Sequence, residues 1–229
     1  MKNLLKKSTA ILVAGAATLG VMSMSSTVHA EGERYVFISH APDSLLHVGQ
    51  PEFAAGFGAG ERAKKQGVKS FLCVNHYITN PASVERCMGF AKGLGVELGS
   101  QMIDSGSDPT NVETKVSAYL RKHPDTQAIL TLGPTSAHPT LRALSKNRNL
   151  KDIYFGTFDL SGEISAAIKE GKIDFAIDQQ PYLQGYLPIS FLTLYSRYGL
   201  IPSNDVNSGP GFITKDNIAL VEKYAGEFR

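Results

Sequence analysis

Six short runs of apolar, largely β-branched and aromatic residues alternate along this chain with segments of helical period, and that alternation leaves few folds open. The runs lie at 35–39, 70–75, 97–104, 127–132, 153–158 and 173–177. Helical patterns fall near 52–66, 81–94, 110–122, 137–147, 161–170 and 182–198. Each run is apolar almost throughout rather than at every second residue, which is the pattern of strands covered on both faces of a parallel sheet. The punctuation agrees: Asn80-Pro81 opens one helix, Asp108-Pro109 precedes another, and Gly171 closes the helix before Ile173. A β-α-β-α order predicts an α/β fold with a mostly parallel sheet.

The first 30 residues stand outside this pattern. Lys2, Lys6 and Lys7 form a basic start, and residues 11–22 form an apolar stretch too short to span a bilayer. Val28-His29-Ala30 then supplies the small residues at −3 and −1 that signal peptidase reads, so cleavage is expected before Glu31. No cysteine lies near that point, which argues against a lipid anchor. The chain reads as exported and soluble, with no membrane insertion of the mature part. Of 23 Lys plus Arg, the three lysines leave with the signal, so the mature chain sets 20 cations against 21 Asp plus Glu. Such a balance offers no basic footprint for nucleic acid.

Cys73, near the end of one strand-like run, and Cys87, inside the following helical segment, are the only cysteines. In an oxidising compartment such a pair invites a disulfide, since a strand and its next helix pack face to face. Two buried thiols remain the alternative, because sequence does not supply the Cα separation.

In α/β sheets ligands bind where the loops converge at the carboxyl ends of the strands. That rule selects Ser39-His40, Asn75-His76, Gly133-Pro134-Thr135, Asp159 and Asp178-Gln179, a polar set of low charge. It holds no His, Cys and carboxylate cluster at metal-ligand spacing, and neither metal nor cofactor is expected. Gly56-Phe57-Gly58-Ala59-Gly60 is not a nucleotide loop, because it lacks both G-x-G-x-x-G after a strand and a terminal Gly-Lys-Ser/Thr. Small residues on a helix that packs closely on the sheet explain it better. No G-x-S-x-G elbow or H-E-x-x-H pair occurs, so no catalytic residue is assigned.

Several linked segments carry a resemblance. They are His47-Val48-Gly49-Gln50-Pro51-Glu52-Phe53 with Gly56 and Gly60-Glu61-Arg62; Glu85-Arg86 with Gly89-Phe90; Gly156-Thr157-Phe158-Asp159; and Ile177-Asp178-Gln179-Gln180-Pro181-Tyr182 with Gly185. In order and spacing they resemble the periplasmic sugar-binding proteins of ABC importers, of the ribose- and galactose-binding type, which share their fold with LacI-type effector domains. The resemblance implies a two-lobed α/β sandwich, a small-molecule sugar or sugar-like ligand, and an ABC permease of the inner membrane as partner. It implies no enzyme. Arg86 matches the family's ligand-binding arginine, Asp159 the aspartate that accepts from adjacent hydroxyls, and Gln179 the glutamine that offers a donor and an acceptor. Asn75 and His76 are further candidates where Gly133-Pro134 replaces the family's polar pair, and Asp43 falls in the first strand's ligand loop. A structural ion pair between Arg86 and Asp159 is the competing reading. A sensor of the same fold and an exported α/β hydrolase are the alternatives at the level of function.

One part of the family pattern is missing. Residues 34–44 look like the first strand and the start of its loop, and 45–50 look like the end of the same lobe, with no βα units between. The junction near Ser44/Leu45 reads as an internal deletion, with a smaller native fold as the alternative. The expected organisation is a signal peptide at 1–30, a remnant of the first lobe and its crossover at 31–66, and a complete second α/β lobe at 67–229.

Overall fold

A computed structural model of the chain describes residues 35–37, 44–146 and 152–229. The expected signal segment, Ser39-His40 and Asp43 lie outside the described residues. Strands β1 (Tyr35–Phe37) and β2 (Ser44–Gly49) come first. Helix α1 (Glu52–Lys65), β3 (Phe71–Asn75), α2 (Pro81–Leu94), β4 (Met102–Asp104) and α3 (Pro109–Lys122) follow. Then come β5 (Ala128–Thr131), α4 (Pro134–Ser145), β6 (Tyr154–Phe158), α5 (Gly162–Lys169) and β7 (Phe175–Asp178). Helix α6 (Pro181–Tyr198), β8 (Val206–Asn207) and β9 (Gly211–Ile213) complete the series.

The main sheet has six strands in the order β4-β3-β5-β6-β7-β9, parallel except for β9, which runs antiparallel to β7. Its strands are buried on both faces, and neighbours in sequence feed opposite layers. Leu72, Val74, Ile129, Phe155 and Ala176 pack with Val112 and Val116 of α3 and with Ile164 and Ile168 of α5. Phe71, Cys73, Leu130, Phe158, Phe175 and Ile177 pack with Ala55 and Ala59 of α1 and with Phe90 and Leu94 of α2. The near-continuous apolar strands of the sequence therefore supply two cores from one sheet. The helices start where capping chemistry places them: Asn80 Oδ1 accepts from Ala82 N at 3.0 Å, and Asp108 Oδ1 accepts from Asn111 N at 2.9 Å.

Four differences from the sequence reading have physical causes. The Gly56-to-Gly60 stripe packs on α2, not on the sheet. A Cβ at Gly56 or Gly60 would lie 2.2 Å from the carbonyl of Arg86 or Phe90, and one at Gly89 or Gly93 would lie 2.1 Å from that of Phe53 or Phe57. Two glycine pairs four apart thus bring the backbones of α1 and α2 together. Helix α4 begins at Pro134 rather than 137, because Pro at the first helical position costs no hydrogen bond. The 97–104 run is mostly a turn, with a single 3₁₀ turn at Gly99–Gln101 and only three strand residues. Strands β2, β8 and β9 complete pairings that periodicity did not mark, two of them too short to show any.

A second sheet, β1-β2-β8, is parallel throughout. Its core is small: Leu46 and Val48 are buried, with Leu187, Phe191 and Leu192 of α6 against them. Among the described residues, no helix is long and apolar enough to cross a membrane.

Candidate functional site

The carboxyl ends of β3, β5, β6 and β7 converge on one polar cluster, completed by the first turns of α1 and α2. Arg86 stands on α2 and is 8% exposed. Its Nε donates to Glu52 Oε2 at 2.6 Å and its Nη2 to Glu52 Oε1 at 2.9 Å. Nη1 donates to the Leu132 carbonyl at 3.2 Å, and Nη2 also reaches Gln179 Oε1 at 3.3 Å. The guanidinium lies over the Phe158 ring, 4.3 Å from its centroid. The glycine crossing of α1 and α2 is what sets Glu52 beside Arg86, since Gly56 lies one turn beyond Glu52 and abuts the Arg86 carbonyl.

Gln179 links this ion pair to Asp159, donating from Nε2 to Asp159 Oδ1 at 2.6 Å. The expected candidates Arg86, Gln179 and Asp159 therefore form one line, but Arg86 pairs with Glu52 and not with Asp159. Glu52 was missed as a site residue, because a glutamate in a helix's first turn is ordinary capping chemistry in sequence. Asp159 adopts the left-handed backbone at φ 60° directly after β6, held by its N–H to the Ile177 carbonyl at 2.8 Å. Burial pushes its carboxyl above the ordinary range, against the opposing effects of Arg86 and the Gln179 amide. Its Oδ2 has no hydrogen-bond partner among the described residues and lies 3.5 Å from where a Cβ on Gly133 would sit.

His76 approaches the same point from β3, with Cε1 also 3.5 Å from that Cβ position. Its Nδ1 lies 3.2 Å from Ser136 Oγ. The Ser136 hydroxyl donates to the Gly133 carbonyl at 3.2 Å and accepts from Leu132 N at 3.2 Å. With that proton on the Gly133 carbonyl, the hydroxyl is assigned as acceptor for His76 Nδ1–H, the tautomer in which Nε2 serves as an acceptor. Burial first, and the Arg86 charge second, hold His76 below its ordinary pKa, which favours the neutral ring. Gly133, with no side chain, leaves the space between His76 and Asp159 open.

Asn75 is fully buried and does not join the cluster. Its Oδ1 accepts from Tyr77 N at 2.9 Å, closing the turn after β3, and its Nδ2 faces Met102 Sδ at 3.7 Å. Asp178 is likewise committed to structure, through Gln180 N at 2.8 Å and Arg229 Nη1 at 2.5 Å. Cys73 and Cys87 are joined as a disulfide with Cα atoms 5.9 Å apart, tying β3 to α2 one residue from Arg86. No group of three or more His, Cys, Asp or Glu able to hold a metal ion occurs among the described residues.

The cluster combines a neutralised cation with two partly exposed groups, Asp159 and His76, whose outer atoms have no protein partner among the described residues. It can receive hydrogen bonds from a ligand's hydroxyls.

Comparison with known proteins agrees with the architecture. The family described as the periplasmic binding protein domain matches residues 10–198. The xylose/arabinose-binding protein XylF of Sulfolobus acidocaldarius is 28% identical over 200 residues, 82% of this chain and 49% of its own length. The chain thus spans about half the length of that curated relative. A carbohydrate transporter protein from Acidothermus cellulolyticus, solved in complex with myo-inositol, superposes with a TM-score of 0.71 at 32% identity, over 80% of this chain and 63% of the other. An ABC transporter solute-binding protein from Burkholderia graminis, solved with D-arabinose, shares the fold at a TM-score of 0.70 and 21% identity, over 80% of this chain and 67% of the other.

Proposed function

Because the chain belongs to the periplasmic binding protein domain family, we propose that it is a non-catalytic sugar-binding component of an ABC-type importer, with a shortened first lobe. The observation that carries the reading is the pair of open acceptors, Asp159 Oδ2 and His76 Nε2, beside an arginine already neutralised by Glu52. Acceptors without a free cation suit the hydroxyl hydrogens of a neutral sugar or polyol and repel an acidic one. The relatives that bind xylose, arabinose or myo-inositol point to the same class. Arg86, Asp159, Gln179 and His76 are the assigned contacts, while Asn75 acts on the loop beneath them.

The parallel pairing of β1 with β2 supports an internal deletion in the first lobe. Only residues 38–43 separate the two strands, whereas a parallel pair is ordinarily joined by a crossover of a dozen or more residues. Residues 1–30 act as the export signal, the periplasm is the working compartment, and an inner-membrane permease is the partner of the closed form. With half the clamp reduced, a bound sugar keeps fewer hydrogen bonds and more water, so affinity falls by orders of magnitude.

Saturation-transfer NMR on the purified chain tests the ligand class, using myo-inositol, arabinose, xylose and glucuronate. Transfer to the neutral ligands and none to glucuronate is the expected result. Transfer to glucuronate alone, or to none of the four, would refute the assignment.

A further inference from the structure

Three segments of the chain pass between the two sheets. Gly49-Gln50-Pro51 leads from β2 to α1, Gln179-Gln180 from β7 to α6, and Ser208-Gly209-Pro210 from β8 to β9. All three meet at Gly209, where a Cβ would lie 2.7 Å from Gln50 Oε1, 3.1 Å from the Asp178 carbonyl and 3.2 Å from Gln179 Cα. Ser208, 3% exposed, binds a different residue through each of its polar groups. Its N–H donates to the Gly49 carbonyl at 2.9 Å, its carbonyl accepts from Gln180 Nε2 at 2.6 Å, and its Oγ accepts from Gln184 Nε2 at 2.9 Å. Gln184 Nε2 also donates to the Gln179 carbonyl at 3.0 Å. That end of the Gln184 amide is its NH2, because a carbonyl only accepts. Between these contacts Gln180 turns through the left-handed backbone at φ 53°. Gln180 and Asp159 are the two non-glycine residues of positive φ among the described residues, and they stand on either side of the Gln179–Asp159 hydrogen bond. A non-glycine residue keeps that conformation only where its surroundings enforce it.

We infer that Ser208 is a positioning residue for the sugar contact Gln179, acting through Gln184; the inference rests on the sugar reading of the site. Gln179 bridges Arg86 and Asp159 one way round, with Oε1 toward the guanidinium, which only donates, and Nε2 toward the carboxylate. The amide is planar, so the bridge is kept by where the backbone of residue 179 stands. The Gln179 carbonyl is held by Gln184, and Gln184 is held in turn by Ser208 Oγ. Without that hydroxyl Gln184 loses one of its two close acceptors, and Gln179 is held less firmly against Asp159. The first crossing reaches the same line from its other end: Gln50 Nε2 donates at 2.9 Å to Glu52 Oε2, the oxygen that also takes Arg86 Nε. The segments that carry the second sheet are thereby tied to the side chains assigned to the sugar.

A ¹H–¹⁵N titration of the purified chain with myo-inositol tests it on Ser208→Ala and Gln184→Met. Ser190→Ala is the control on the same helix, where the hydroxyl donates to the Tyr186 carbonyl instead. In ligand-free spectra the side-chain amide of Gln179 and the backbone amide of Asp159 are expected to shift in the first two variants and to stay in place in the control. The Kd for myo-inositol is expected to rise about three- to tenfold in each of the two, the range that one hydrogen bond spans. In a Gln179→Ala background, Ser208→Ala is expected to add no further rise, whereas a residue that merely stabilised the fold would act alike on both backgrounds. A parent chain that binds while Ser208→Ala and Gln184→Met leave its Kd unchanged, or an equal added loss with and without Gln179, would overturn the inference and spare the sugar reading. A parent chain with no saturable shifts would overturn both.

Discussion

Arg86 is clasped by both carboxylate oxygens of Glu52, at 2.6 and 2.9 Å, and meets Asp159 only through Gln179. The arginine is therefore paired before any ligand arrives, and its partner comes from a different helix. Removing Glu52 leaves a buried guanidinium with only a remote anion, an event that costs about 3–5 kcal/mol where a buried pair is broken. Glu52→Ala is expected at the low end, about 3 kcal/mol, because Asp159 partly compensates. Urea unfolding measures it. Arg86→Leu with Glu52→Ala should be milder than Glu52→Ala alone.

The helix crossing that delivers Glu52 depends on glycine for close approach. Gly60→Ala would place a methyl 2.2 Å from the Phe90 carbonyl, so α1 and α2 must part. A loss of about 1–3 kcal/mol is expected, at the upper end because the obstacle is backbone. Gly185→Ala, inside α6 with nothing within 4 Å, is expected to gain up to about 1 kcal/mol. Equal losses in the two variants would count against the crossing as the cause.

The Cys73–Cys87 disulfide spans 14 residues and both sulfurs are fully buried. Closing a loop of that size contributes about 3 kcal/mol. The native chain should show no thiol reactive with Ellman's reagent, even in denaturant, until it is reduced. Cys73→Ala with Cys87→Ala should lower the urea midpoint accordingly.

His76 and Asp159 impose opposite pH dependences. His76, held below 6.5 in the fold, binds its proton more readily when unfolded. Its contribution is complete above 6.5 and is lost as pH falls through the window beneath. Asp159 is raised above 3.8, so its contribution is complete below 3.8 and is lost as pH rises through its folded pKa. Accordingly His76→Gln should flatten the fall in Tm between about pH 7 and pH 5. Asp159→Asn should raise Tm at about pH 7 and leave it unchanged near pH 3.5. A neutral-pH loss of Tm in Asp159→Asn would contradict the desolvation argument.

The main sheet was legible because each of its long strands is buried on both faces, so apolar runs and strands coincide. Asp159, Gln179 and His76 were singled out because strand ends are where an α/β sheet gathers its loops, and Arg86 by the family resemblance of its helix; the fold brings the four into one cluster. Glu52 was not, since its role comes from the Gly56–Gly60 contact with α2: the glycine stripe announces close packing, but local pattern does not name the partner. Asn75 looked equivalent to His76 as its neighbour, but alternation turns one side chain into the core and its neighbour outward. Strand β2 escaped notice because its partner β1 lies so few residues before it, where a parallel pairing is not expected.

The central claim is that the Gly133, Asp159 and Gln179 cluster is the surviving half of a sugar site. A ¹H–¹⁵N titration of the chain with myo-inositol tests it most directly. The account predicts shifts centred on the amides of Gly133, Asp159 and Gln179 that saturate only in the millimolar range and vanish in Asp159→Asn. Saturation at micromolar ligand, or shifts centred elsewhere on the sheet, would contradict it.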